Sequence, residues 1–350
     1  LAVTRGIFSF VFNRTAAKFL AVEIEQVDRF ILERTNANRI TNRVEVQSLW
    51  SGYGSIQRVD LDGGEFSSII VKHVQPGRGS HPRGWNTDLS HQRKLKSYQV
   101  EANWYRKQDV DCKNGFARIP FCLGTKKEGD EVLLLLEDLD ASGFKGRKSF
   151  VNQTEWEACV SWLATFHAEN LDGDATGLWE SGTYWHLKTR PDELERLDDQ
   201  VIKKAAPAID TKLKTNKFQA LVHGDAKLAN FCFNSDGTRV AAVDFQYVGA
   251  GCGMKDLAYF VGSCFRDEEA EEMEVEVLNY YFTQFRKSLA RINSQVSGEE
   301  VEQDWRPLYR VAWADFHRFM KGWSPGHWKL SDYSERVTRE VIESLREENA

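Results

Sequence analysis

Two short stretches of the sequence decide its interpretation: His223-Gly224-Asp225-Ala226-Lys227-Leu228-Ala229-Asn230 and, further along the chain, Val243-Asp244-Phe245-Gln246. The first stretch supplies a carboxylate and then an amide, and the second supplies another carboxylate. A β-hairpin is predicted between them, because two short apolar runs flank the turn residues Asn-Ser-Asp-Gly. Such a hairpin would return Asp244 to the neighbourhood of Asn230.

These residue types suit phosphoryl transfer. A carboxylate such as Asp225 can accept or orient the proton of a hydroxyl group, and the oxygens of Asn230 and Asp244 are hard ligands for Mg²⁺ that bridges phosphates. The structural alternative is a loop in which Asp and Asn only cap helices and turns. The spacing favours a catalytic loop, with Asp225 as catalytic residue and with Asn230 and Asp244 as metal ligands.

Together the two stretches resemble the aminoglycoside phosphotransferase and choline kinase superfamily, and most closely its ecdysteroid kinase-like branch. Protein kinases carry a related pair of motifs, but this chain has Gly224 where they have Arg and Gln246 where they have Gly. The resemblance covers roughly residues 44–265. It implies an α+β, protein-kinase-like two-lobed fold, with a small β-rich N-lobe and a larger helical C-lobe, and it implies ATP and Mg²⁺ as cofactors.

The pattern along the chain agrees with that fold. Val44–Trp50, Ser55–Leu61 and Phe66–Val74 have the composition of strands, and the second half is mainly helical. We expect an N-terminal helical extension over residues 1–43, a nucleotide-binding lobe over 44–139, and a catalytic and acceptor-binding lobe over 140–350.

The nucleotide site is predicted from the N-lobe. Lys72 lies in the third strand, where a nucleotide kinase places its phosphate-binding lysine, and the resemblance implies Glu101 of the next helix as its ion-pair partner. The alternatives are a solvent-facing strand lysine and an exposed helix acid.

Further nucleotide contacts are expected from a short glycine loop and from a hinge whose backbone would bind adenine. The loop residues are Ser51, Gly52, Gly54 and Ser55, and the hinge residues are Glu137, Asp138 and Leu139. A bare hairpin turn and a buried strand with a polar exit are the alternatives for these two segments.

Three residues around the catalytic loop are given roles by the resemblance. Lys227 is expected to approach the γ-phosphate as a second catalytic residue, and His223 to support the loop rather than act as the base. Asp256 is expected to brace the loop through its backbone amides, although a simple helix N-cap explains this residue equally well.

The acceptor is predicted to be small. The segment from Asp244 to Asp256 is short, whereas a protein kinase needs a long activation segment there to dock a peptide. An aromatic stripe late in the chain is the candidate acceptor pocket, with core packing on one helix face as the alternative. Its members are Trp305, Tyr309, Trp313 and Trp323. An aromatic pocket of this kind could hold a quaternary ammonium by cation–π attraction or a sterol-like face by burial.

The sequence therefore predicts an ATP-dependent phosphotransferase, a kinase acting on a hydroxyl of an amino alcohol, an aminoglycoside or a sterol-like molecule. The alternatives are a catalytically inactive kinase-like binding module and a protein kinase. The acceptor's identity and the oligomeric state are left open.

The composition of the chain disfavours several other classes of protein. The net charge of −6 disfavours a nucleic-acid binder, and no run approaches the roughly 20 apolar residues of a membrane span. The 6 cysteines form no CxxC pair, which favours reduced thiols and a cytoplasmic location. Residues 1–22 carry Arg and Lys but no acid, so an organelle transit peptide remains the alternative for that segment.

Overall fold

The computed structural model describes residues 25–49, 52–76, 88–108, 115–327 and 329–348. It divides into two compact units: Leu1–Pro82 with Cys122–Ala141, and Arg83–Phe121 with Ser142–Ala350. The predicted transit peptide over residues 1–22 lies outside the described residues. Of the predicted helical extension over 1–43, residues 25–35 do form a helix, but strand β1 already begins at Arg39. The division differs from the predicted boundaries in two respects: residues 83–121 group with the second unit and not with the nucleotide-binding lobe, and the described part of the predicted extension groups with the sheet.

The first unit is an antiparallel sheet with one helix. Helix α1 covers residues 25–35, and the five strands are β1 (Arg39–Ser48), β2 (Gly54–Asp62), β3 (Ser68–Val74), β4 (Cys122–Glu128) and β5 (Glu131–Glu137). The strand order is β1-β2-β3-β5-β4, so β3 is central. Ile31 of α1 packs with Val59, Ile69 and Val71 in the apolar core. This core covers the face of β3 to which Ile69 and Val71 point, and Lys72 alternates to the other face.

The second unit is mainly helical. Its helices are α2 (Asp88–Gln108), α3 (Gln153–Glu169), α4 (Pro191–Glu195), α5 (Gln200–Lys214), α6 (Met254–Cys264), α7 (Asp267–Arg291), α8 (Gly298–Trp305), α9 (Leu308–Trp323) and α10 (Asp332–Glu347). Helix α3 begins with a capping box in which Asn152 and Glu155 exchange side-chain and backbone hydrogen bonds. Among the described residues, no helix is both long and apolar enough to span a bilayer.

Two small strand pairs of the second unit carry the motif residues. Strand β6 (Ala220–Val222) pairs with β9 (Gly249–Gly251), and β7 (Phe231–Phe233) pairs with β8 (Val240–Ala242). The catalytic loop connects β6 to β7, and Asp244 follows β8. The predicted hairpin thus forms, and it fixes the two motif segments on neighbouring backbone.

The α+β class is confirmed: a small antiparallel sheet unit precedes a larger unit that is mainly helical.

Candidate active site

The catalytic loop turns sharply at Gly224, directly after β6. The backbone φ of Gly224 is +80°, and a Cβ at this position would lie 2.1 Å from the carbonyl oxygen of Tyr247. Only glycine can take this conformation and this close approach without displacing backbone. The residue that distinguishes the HGD motif from the protein-kinase motif is therefore required by the local fold.

The Asp256 side chain supports the backbone of the catalytic loop. Its carboxylate accepts hydrogen bonds from the backbone N–H groups of His223 (2.5 Å) and Gly224 (2.9 Å), and it contacts His167 Nε2 at 3.1 Å. Burial would raise the pKa of Asp256, but His167 and these hydrogen bonds outweigh it and lower the pKa. The N-cap position of helix α6 is Gly253, and Asp256 lies inside the first turn of the helix, so its contacts are those of a brace and not of an N-cap.

His223 is used at both ring nitrogens. Nδ1 accepts the backbone N–H of Asp225 at 3.2 Å, so Nε2 carries the proton and donates it to the carbonyl of Val243 at 3.0 Å. A ring engaged in this way ties the catalytic loop to the segment before Asp244. It has no lone pair left for a substrate proton.

The carboxylate of Asp225 is buried, and its two oxygens differ. Oδ2 accepts from Lys227 Nζ at 2.8 Å and from Asn230 Nδ2 at 3.2 Å. Oδ1 has no hydrogen-bond partner within the described part of the chain. Burial and the nearby charge of Asp244 raise the pKa of Asp225, while Lys227 acts in the opposite direction. The result is a carboxylate with a raised pKa and one oxygen that accepts no hydrogen bond in the described part of the chain, which suits it to receive a proton from a bound hydroxyl.

Asp244 adopts a conformation that is rare outside glycine. Its φ is +72°, and its Oδ1 accepts from Gln246 Nε2 at 2.6 Å. The preceding residue, Val243, donates its backbone N–H to the carbonyl of Asn230 at 3.0 Å, which fixes the two predicted metal ligands on adjacent backbone.

The donor set fits Mg²⁺ bound to a nucleotide. Asn230 directs its amide nitrogen to Asp225, so its carbonyl oxygen is the atom left to serve as a ligand, and Asp244 adds carboxylate oxygen. No cluster of three or more His, Cys, Asp or Glu side chains that could hold a metal alone occurs among the residues described. Phosphate and water oxygens would have to complete the coordination.

Lys72 and Glu101 are both buried, at 4% and 1% exposure. Lysine and glutamate are almost never buried unless they are paired. The burial therefore excludes the solvent-facing strand lysine and the exposed helix acid. Lys72 lies in the sheet unit and Glu101 in the helical unit, and their mutual ion pair stays a prediction.

The glycine loop is described only in part, because Ser51 lies outside the described residues. Gly52 and Gly54 have φ values of +71° and +124°, and a Cβ on Gly54 would lie 2.0 Å from the carbonyl oxygen of His73. Ser55 opens β2. The glycine at 54 is thus needed to close the β1–β2 hairpin against β3, and phosphate binding by this loop stays a prediction.

The hinge candidates are buried at the end of β5. The Asp138 carboxylate accepts from Arg58 Nε (2.7 Å) and from Ser68 Oγ (2.7 Å), and these bonds outweigh burial and lower the pKa of Asp138. Its side chain is therefore committed within the sheet unit. Adenine binding by the backbone of Glu137, Asp138 and Leu139 stays a prediction.

The aromatic stripe is divided by the fold. Trp305 ends α8, and its Nε1 donates to the carbonyl of Phe218 at 2.9 Å. Trp313 of α9 donates to Ser334 Oγ at 3.0 Å, and Tyr309 packs against it. These three side chains are buried, which favours the core-packing alternative for them. Trp323 is only partly buried and packs against a different aromatic group, described below.

Three neighbours of the loop were not assigned a role from the sequence. Gln246 orients Asp244 and accepts from Ser97 Oγ of α2 at 3.1 Å. The rings of Tyr184 and Tyr259 lie 5.6 Å apart, and the hydroxyl of Tyr259 interacts electrostatically with Asp225. Gln246 stands inside the quoted motif and could have been noticed there, whereas the two tyrosines are distant in sequence and carry no local signal.

The ecdysteroid kinase-like family model matches residues 179–294, a segment that contains the catalytic loop, Asp244 and Asp256. The predicted resemblance is confirmed. The matched segment also contains Tyr184 and Tyr259, whereas His167, which contacts Asp256, lies outside it. No curated protein matches the chain significantly by sequence.

Solved structures of small-molecule kinases have a similar fold. A microcompartment-associated aminopropanol kinase covers 92% of this chain and 94% of its own, with 13% identity and a TM-score of 0.51. A putative aminoglycoside phosphotransferase from Ralstonia eutropha covers 92% and 95%, with 12% identity and a TM-score of 0.45. A thermostable mutant of another aminoglycoside phosphotransferase, in a ternary complex with ADP and hygromycin B, covers 91% and 98%, with 10% identity and a TM-score of 0.46. The likeness to the aminopropanol kinase, at 13% identity, concerns the fold alone.

Proposed function

We propose that this protein is an ATP-dependent kinase that transfers the γ-phosphate to a hydroxyl group of a small molecule. The observation that carries the proposal is the state of Asp225. One of its oxygens is held by Lys227 and Asn230, and the other is buried with no hydrogen-bond partner in the described part of the chain. A fixed, buried carboxylate with a raised pKa is the group needed to accept the acceptor's hydroxyl proton.

The remaining residues have separate tasks. Asn230 and Asp244 would hold the magnesium of the bound nucleotide, which neutralises phosphate charge. Lys227 would meet the transferred phosphoryl group, and Lys72 would bind the phosphates with Glu101 as its partner. His223 and Asp256 keep the loop in place through backbone hydrogen bonds.

A small acceptor is supported by the path of the chain after Asp244. The short strand β9 and then α6 follow within a few residues, and both are well packed. No long segment is available between Asp244 and Asp256 to dock a peptide, so a protein kinase is disfavoured. An inactive binding module is disfavoured because Lys72, Asp225, Asn230 and Asp244 are all present.

An ADP-release screen with ATP and magnesium tests the proposal, with amino alcohols, aminoglycosides, sugars and sterols as acceptors. We expect acceptor-dependent ADP release by the unaltered protein and its loss in the Asp244→Ala variant, because that variant lacks the carboxylate metal ligand. Asp236→Asn, in the exposed β7–β8 turn, is the matched control and should retain activity. Equal, magnesium-dependent turnover by Asp244→Ala would place the metal elsewhere.

A further inference from the structure

A second aromatic group lies beside the catalytic loop, apart from the buried Trp305–Trp313 group. We call it the aromatic cluster; its members are Tyr184, Trp185, Tyr259, Phe316, Phe319 and Trp323. The ring of Tyr259 lies 4.8 Å from Trp185 and 4.9 Å from Phe316, and Tyr184 lies 5.5 Å from Phe319. Tyr184, Phe316 and Trp323 are only partly buried, so the cluster has an accessible side.

The cluster borders the reacting carboxylate. The hydroxyl of Tyr259 interacts with both Tyr184 and Asp225, and Tyr184 in turn interacts with Asp225. An acceptor whose hydroxyl reaches Asp225 must therefore place its neighbouring atoms near Tyr184 and Tyr259. The cluster is the surface that would contact the body of the acceptor.

The protein's own cations already occupy the aromatic faces. Lys329 Nζ lies 5.2 Å from the ring centroid of Tyr259 and 5.6 Å from that of Phe316. The guanidinium of Arg190 lies 5.7 Å from the ring of Tyr184 and 5.4 Å from that of Phe319, and it is anchored by a hydrogen bond to the Tyr184 carbonyl (2.6 Å) and by Glu193. Aromatic faces that could bind an ammonium ligand are thus filled from within the chain.

We propose that Lys329 selects the acceptor by charge, so that the part of the acceptor bound at Tyr259 and Phe316 carries no cation and presents an oxygen to the lysine. This inference rests on the proposed function and narrows it: polyols, hydroxy ketones and hydroxy acids fit the site, whereas choline-like and amino-alcohol acceptors do not. A second cation at these rings would have to displace Lys329 from its cation–π contacts, and the positive charge of Lys329 would repel it at short range.

The charge state of Lys329 is compatible with this role. Burial lowers the pKa of Lys329 to about 8, with Cys264 and Asp225 acting in the opposite direction and Lys227 adding to the decrease. The lysine is then still mostly protonated at pH 7. It can donate a hydrogen bond to an oxygen and repel an ammonium group.

Binding of tetramethylammonium, followed by saturation-transfer NMR without nucleotide, tests the inference directly. The unaltered protein should give no saturable transfer at tens of millimolar ligand. Lys329→Met removes the cation and leaves the rings, so it should bind the ion with a millimolar Kd. Lys217→Met is the matched control, because Lys217 lies 4.7 Å from the Phe218 ring but away from the cluster; it should behave like the unaltered protein.

Every outcome of the binding experiment decides the matter. Equal binding by the unaltered protein and Lys329→Met would overturn the inference, and so would an absence of binding in both, since the lysine would then not occupy an ammonium-sized site. Lys329→Gln is the second variant, to be used if Lys329→Met does not fold as judged by its melting curve.

A kinetic arm uses choline and its uncharged isostere 3,3-dimethylbutan-1-ol as acceptors. The unaltered protein should prefer the isostere by at least tenfold in kcat/KM, and Lys329→Met should reduce this preference several-fold. A preference for choline would contradict the inference. If ATP is not turned over with any acceptor, the proposed kinase function fails, while the nucleotide-free NMR result still decides the role of Lys329.

Discussion

At the residue scale, Lys227 controls the charge state of Asp225. The two side chains form an ion pair of 2.8 Å, and Lys227 opposes the effects of burial and of Asp244, which raise the pKa of Asp225. The deprotonated carboxylate is the active form. Activity should therefore be present above the pKa of Asp225 and be lost as the pH falls through it.

Replacing Lys227 with Met should move the acidic limb of the kcat–pH profile to higher pH. The physical reason is that removal of the cation leaves burial and Asp244 unopposed, so that the pKa of Asp225 rises further. Lys227→Arg keeps the charge and serves as the control. A limb that stays in place, or that moves to lower pH, would contradict this account of the ion pair.

At the element scale, α6 positions the catalytic loop through one carboxylate. Asp256 accepts two backbone N–H groups of the loop and contacts His167 of α3, so three elements meet at a fully buried charge. Removing one partner of such a buried set leaves the others without hydrogen bonds.

Asp256→Ala should lower the free energy of unfolding by about 3 kcal/mol and also reduce kcat, because the loop loses its support. Chemical denaturation and steady-state kinetics measure the two effects. Asp304→Ala is a suitable control: Asp304 accepts the backbone N–H groups of Lys217 (3.2 Å) and Phe218 (3.0 Å), neither of which belongs to the catalytic loop. This control variant should have a lower free energy of unfolding and an unchanged kcat in its folded form. A stable, fully active Asp256→Ala variant would disprove the bracing role.

Elements were predictable from the sequence where the pattern was local. The β7–β8 hairpin follows from its turn residues, and β3 follows from its apolar run. The composition of Pro191–Ala206 predicts one charged helix, but the segment forms parts of two helices, because Asp199 accepts the backbone N–H groups of Val201 and Ile202 and starts a new helix there. The first strand begins at Arg39, before the predicted Val44, since the exposed polar residues of β1 show no apolar alternation.

At the scale of the whole molecule, the sequence located the catalytic loop but not the surroundings of the acceptor. The loop is a contiguous motif and carries its own signal. The aromatic cluster is assembled from the segment around Tyr184, from α6 and from α9, and Pro307 separates Trp305 from the helix that carries Trp323. Periodicity along one helix cannot show which face of a long-range arrangement a ring will occupy.

Alanine substitutions should separate the two aromatic groups. Trp305→Ala and Trp313→Ala should each lower the free energy of unfolding by about 3 kcal/mol, because they remove buried rings, and leave the acceptor KM unchanged in the folded fraction. Trp323→Ala should raise the acceptor KM with a smaller loss of stability. Thermal melts and acceptor kinetics check this. If only Trp313→Ala raised the acceptor KM, the acceptor pocket would lie at the buried Trp305–Trp313 group and not at the aromatic cluster.

The central claim is that Asp225 takes the proton of the acceptor's hydroxyl. Its most direct test is acceptor-dependent ADP release by Asp225→Asn, measured beside the affinity of the same variant for ATP and magnesium. The account predicts that kcat falls by about 10²–10⁴-fold while nucleotide affinity is nearly unchanged, because the amide keeps the shape of the carboxylate but cannot accept the proton. Turnover equal to that of the unaltered protein on the same acceptor would contradict it.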